Sequence, residues 1–156
     1  MKLIHIINGP NLASLGKREP EIYGTRSFDA YLEDLRDLYP DATISYYQSN
    51  HEGELIDALY RAEQSGAVGV VLNAGGYTHT SIALLDAIRA ISIPVVEVHI
   101  SSIFAREEYR RQSMIAPACR GVISGFGLES YRLAVDFFGK NLSSRFKKRR
   151  NGANEL

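Results

Sequence analysis

Five short apolar runs, separated by stretches with helical periodicity, constrain this chain more than any other feature. They are "LIHII" (3–7), "ATISYY" (42–47), "VGVVL" (68–72), "PVVEVHI" (94–100) and "GVIS" (121–124). The first, third and fourth are close to continuous rather than alternating, the pattern of strands buried on both faces of a parallel sheet. Between the first two runs, Phe28, Tyr31, Leu32, Leu35, Leu38 and Tyr39 repeat at helical spacing, with Ser27 placed to cap and Pro40 after the end. Leu55, Ile56, Leu59, Tyr60 and Ala62 make a second stripe closed by Gly66, and Ile82, Leu85, Ile88 and Ile91 a third closed by Pro94. A last helix is expected over about 128–146.

Strand–helix alternation of this kind predicts an α/β fold: a flavodoxin-like, doubly wound sheet of five parallel strands with helices on both faces. The 156 residues, 45% of them hydrophobic, suffice for a single domain, expected over 1–146 and followed by a loose basic tail at 147–156. A lone cysteine, Cys119, excludes an internal disulfide framework and suits a reducing compartment, where a buried, inert thiol is expected. Eighteen basic residues balance eighteen acidic ones, so no overall field draws in nucleic acid or an anionic membrane. No apolar run approaches the roughly 20 residues that span a bilayer. The opening "MKLIHIINGPN" is too short for a signal-peptide core. A soluble, cytoplasmic protein is expected.

In open α/β sheets, ligands bind beyond the carboxyl ends of the strands. Those ends read Asn8, then Ser49, Asn50 and His51, then Asn73, then His99 with Ser101, then Gly125. Core packing does not call for such polar groups, whereas a small-molecule site on that edge does. Glu97 and His99 are two apart on one strand and project to the same face. A carboxylate beside an imidazole fixes its tautomer, orients the ring and favours the imidazolium, which prepares a general acid. The alternative is a half-buried polar pair with no reactive role. The loop "NAGGYTHTS" (73–81) has glycines that admit close backbone approach, and a helix start near Thr80 or Ser81 that favours an anion. His79, His99 and Glu97 lack a compact metal-ligand motif, so His79 reads as a hydrogen-bonding group. The segment 101–113 reads as a charged helix face, from which Arg110 can fold back over the strand edge and clamp a hydroxyl or carboxylate.

The first strand leaves through "NGPNLASLGKREPEIYG" (8–24), seventeen residues where a few would turn the chain. Pro10 and Pro20 stiffen it, so it reads as a lid. Arg18 lies five residues from Tyr23, near enough for a guanidinium to make the phenol a usable base for a carbon-bound proton next to a carbonyl. Equally, Tyr23 packs and Arg18 is solvated.

Together "NGPNLASLGKREPEIYG", "YYQSNHEGELIDAL", "NAGGYTHTS", "EVHISSIFAREEYRRQS" and "GVISGFG" resemble the type II 3-dehydroquinate dehydratases from about residue 3 to 138. The resemblance implies anti elimination of water from 3-dehydroquinate through an enolate, giving 3-dehydroshikimate, with no metal, no Schiff base and no other cofactor. It makes Tyr23 the base, Arg18 its activator and His99, oriented by Glu97, the acid. Asn11 would place a water against the enolate oxygen, and Asn73 would hold the polar network around the substrate carboxylate. Backbone amides of Ile100 and Ser101 would grip that carboxylate, while His79 and Arg110 bind ring hydroxyls. Asp86 is implied to reach a neighbouring subunit, in a dodecamer built from trimers. The family often has Asn at Ala13, Pro at Ala74, Asn at Ser102 and His at Phe104, departures that bear on loop packing and subunit contacts. The reaction serves either aromatic amino acid biosynthesis or quinate breakdown.

Two other functions fit the same fold. A flavin or phosphate module would want a Ser/Thr/Gly-rich first loop, where this chain has Pro, Leu and Arg. A phospho-receiver would need acidic residues where Asn8 and Asn73 stand.

Overall fold

The computed structural model describes residues 1–14 and 27–139. Arg18 and Tyr23, most of the long first loop and the tail beyond residue 139 lie outside the described residues. Five strands, β1 (Lys2–Asn8), β2 (Ala42–Gln48), β3 (Gly69–Asn73), β4 (Val95–His99) and β5 (Gly121–Ser124), form one sheet in the order β2-β1-β3-β4-β5. Every pairing is parallel. The predicted doubly wound sheet is therefore present, with strand bounds within a residue or two of the apolar runs.

Four described helices cover it: α1 (Phe28–Leu38), α2 (Glu52–Gln64), α3 (Ile82–Ala90) and α4 (Glu129–Gly139). Ser27 caps α1 by accepting from Ala30 N at 3.2 Å, and Ser81 caps α3 by accepting from Leu84 N at 2.9 Å. The first two predicted stripes pack except at Leu38 and Tyr60, which are exposed; on α3 the buried face is Leu84, Ala87 and Ile88, and Ile82 of the predicted stripe faces out. Phe28, Tyr31, Leu32 and Leu35 of α1 join Tyr131, Ala134, Val135 and Phe138 of α4 on one side of the sheet. Leu55, Leu59 and Ala62 of α2 join Leu84, Ala87 and Ile88 of α3 on the other.

Strand parity then sorts the polar groups between the two faces. On β1 and β3, Ile4, Ile6 and Val71 face α1 and α4, so Asn8 and Asn73 emerge on that side, paired in register. On β4, Val96 and Val98 face α1 and α4, so Val95, Glu97 and His99 face the other way. The segment 101–113 is not the single charged helix expected. It folds into two three-residue turns, Ile103–Ala105 and Glu108–Arg110, with Arg106 and Glu107 between them. The chain at the end of β1 runs against the chain at the end of β3: a Cβ on Gly9 would stand 2.5 Å from the Ala74 carbonyl oxygen.

Candidate active site

A cavity of about 200 Å³ opens beyond the carboxyl ends of β3 and β4, against the start of the loop leaving β1. In the strand order, β1 and β3 are the neighbours between which the winding reverses, the place where open α/β sheets bind ligands. Its described lining includes Asn11, Asn73, His79, His99, Ser101 and Arg110, with Ile100 beside them. The expected binding residues other than Asp86 are thus brought together from β3, the turn Gly75–His79, the end of β4 and the turn Glu108–Arg110.

Each is held by something specific. His99 is 7% exposed and Glu97 fully buried, and His99 Nε2 lies 2.5 Å from Glu97 Oε2. That bond turns Nε2 inward and leaves Nδ1 as the ring nitrogen with no partner among the described residues. His79 stacks on it, with centroids 6.4 Å apart and rings at 23°, and its Nδ1 donates to the Gln112 carbonyl at 2.6 Å. With Nδ1–H spoken for, a neutral His79 offers Nε2 as an acceptor. Asn73 donates from Nδ2 to Tyr131 Oη at 2.8 Å and accepts from Gly75 N at Oδ1, 3.2 Å, so its amide orientation is fixed from both ends. Tyr131 in turn donates to Asn8 Oδ1 at 2.8 Å. Complete burial pushes the Tyr131 phenol far above its ordinary value, so it stays a neutral donor. Asn11 stands at φ 70°, a left-handed conformation that asparagine tolerates, with its N–H on Asn50 Oδ1 at 3.0 Å.

Eight residues, 101–108, bring a cation that spacing did not single out. Arg106 lines the cavity and its Nη1 donates to Ser101 Oγ at 3.2 Å. Arg106 and Arg110 flank Glu107, with Nε to Oε2 separations of 3.6 and 3.1 Å. A hydrogen bond from its own N–H, helped by the two guanidiniums, holds the Glu107 carboxyl below the ordinary range. The cavity rim is thus cationic at neutral pH over a floor of imidazole and amide donors, a match for a small polyhydroxy carboxylate.

The family description "Dehydroquinase class II" fits residues 2–139 of this sequence. The chain belongs to the class II dehydroquinase family. A 3-dehydroquinate dehydratase of Pelodictyon phaeoclathratiforme is 54% identical over 133 residues, covering 85% of this chain and 88% of that protein. Another, from Rhizobium johnstonii, is 59% identical over 136 residues, covering 85% and 92%. The crystal structure of a type II dehydroquinase from Butyrivibrio crossotus superposes with a TM-score of 0.85 at 41% identity, covering 88% of this chain and 97% of that one.

Within this dehydroquinase, some predicted positions fall away from the cavity. Glu97 lies behind His99 rather than on the cavity surface, and Asp86 is exposed on α3, outside the described lining. The end of β2 does not line the cavity as the strand-end reading expected. Asn50 instead supports the Asn11 backbone, and Ser49 bonds Glu54. Nor does the start of α3 face it; Ser81 Oγ donates to Glu52 at 2.6 Å. Among the described residues, no three His, Cys, Asp or Glu side chains converge to hold a metal. Burial, then the Glu97 carboxylate, pushes the Cys119 thiol up to about 12, in keeping with an inert sulfur. Arg106, Tyr131 and Ser113 were missed by sequence reading. Arg106 offered a signal, since it sits four residues before Arg110, whereas Tyr131 fell within the expected last helix and was not singled out.

Proposed function

We propose that this chain dehydrates 3-dehydroquinate to 3-dehydroshikimate by anti elimination, as a carbon–oxygen lyase. Family membership and relatives at 54 and 59% identity support the reaction. The observation that carries the mechanism is a buried carboxylate–imidazole pair whose free nitrogen, His99 Nδ1, belongs to a residue on the cavity floor.

Tyr23, made basic by Arg18, takes the proton alpha to the ketone; the C–H electrons move onto the carbonyl oxygen as an enolate. Asn11 holds a water against that oxygen. The enolate then re-forms the C=O and a new C=C while the ring hydroxyl leaves, and His99 supplies the proton that makes it water. Glu97 stabilises the imidazolium before that transfer. Asn73, His79, Arg110 and the amides of Ile100 and Ser101 hold the ring hydroxyls and the carboxylate, and Arg106 adds a second cation to that grip. The chain acts as one catalytic domain in the cytoplasm, in a dodecamer built from trimers in which Asp86 serves a neighbour's site. The exposure of Asp86 outside its own cavity supports that last role. No described helix is long and apolar enough to cross a membrane.

Adding authentic 3-dehydroquinate to the purified protein tests the reading. Ultraviolet absorbance from a conjugated enone should rise with time and with enzyme concentration. A flat trace with active substrate overturns it.

A further inference from the structure

We propose that Ser113 is a positioning residue for this reaction, acting through Glu97 on His99. The proposal rests on the reading of His99 as the acid. A fully buried carboxylate is costly unless both oxygens are bonded. Oε2 of Glu97 takes His99 Nε2, and Oε1 takes the Ser113 hydroxyl at 2.7 Å. The Ser113 oxygen also accepts the Ala116 N–H at 3.0 Å, so its one proton is committed to Glu97. The carboxylate torsion is otherwise broad and nearly two-fold, and a rotating Glu97 would release the ring it orients.

The same short loop reaches the second imidazole. Gln112, next in sequence, supplies the carbonyl on His79 Nδ1, and Met114 N donates back to Thr78 O at 2.8 Å, beside His79. Residues 112–114 therefore set the orientation of both stacked rings from outside the cavity, since none of the three is in its described lining. Ser113 and Glu97 instead border a second, mainly apolar cleft that Phe126 and Leu133 also line.

The test is a double-mutant cycle on the full chain, with kcat and KM measured on 3-dehydroquinate. Ser113→Ala should lower kcat about 10-fold with KM changed less than about 2-fold. Ser113→Thr, which keeps the hydroxyl, should recover most of the loss. In a His99→Ala background, Ser113→Ala should change kcat by less than about 2-fold, because the group it positions is gone. An equal loss in both backgrounds, or wild-type kcat in Ser113→Ala, would overturn the proposal while leaving the acid assignment standing. Wild-type turnover in His99→Ala alone would overturn the acid assignment and this inference with it. Should Ser113→Ala fail to fold, Ser113→Cys, close in volume and a weaker donor, runs the same cycle with the same outcomes.

Discussion

Glu97 sits in the middle of a strand whose other residues are valines and a histidine, all buried. An unpaired carboxylate there would be among the costliest groups a core can hold, so its bonds to His99 and Ser113 carry the local structure as well as the chemistry. Two single substitutions separate the proposed halves of the reaction. Tyr23→Phe removes the base and His99→Ala the acid; each should lower kcat by at least about 10². Circular dichroism shows which variants are folded, a needed control because His99→Ala leaves a buried oxygen of Glu97 without its partner. Near-normal turnover in either folded variant, read from the enone absorbance, would reject that residue's role. The pairing of Glu97 with His99 was legible from a spacing of two on a strand. Its third member was not, because Ser113 reaches it from sixteen residues away through a loop with no periodicity.

At the scale of elements, the dehydroquinase sheet and its helices followed from apolar periodicity because each stripe had one face to bury. Where periodicity was absent, the reading failed: the charges of 101–113 suggested a helix, and two short turns formed instead. Those turns bring Arg106 and Arg110 to Glu107 and to the cavity rim. The contact between α4 and β3 leaves no room for a side chain at Gly69. A Cβ at Gly69 would lie 2.1 Å from Cε1 of Phe138, whose ring is 7% exposed and hemmed by the core. Gly69→Ala should therefore destabilise the protein by about 1–3 kcal/mol in urea unfolding. Combining it with Phe138→Leu should restore part of the loss. Full stability in Gly69→Ala alone would show that α4 shifts freely, and with it the Tyr131 hydroxyl that fixes Asn73.

For the whole molecule, the surface carries a hint that the sheet edge is not left bare. Phe104, Tyr109 and Phe126 are 70, 69 and 62% exposed, Phe104 and Phe126 beside the edge strand β5. Large aromatics left in water are a weak cost singly and a stronger one in a group, and burial between subunits relieves it. Light scattering on the native protein should return a mass near twelve copies of the 17.4 kDa chain. A monomer at micromolar concentration would remove the dodecamer and with it the role given to Asp86.

Composition, apolar spacing and the polar strand ends determined, without any coordinates, a parallel α/β sheet with a small-molecule site on its carboxyl edge. That is so because burial acts on each segment through its own period, and period is written locally. Which asparagine, histidine or arginine actually meets which depended on strand order and parity. Asn73 turns to Tyr131 on one face, while on the other Glu97 takes both His99 and Ser113. Asn73 and Tyr131 are 58 residues apart and Ser113 is 16 from Glu97, so those two contacts exist only once the sheet has assembled.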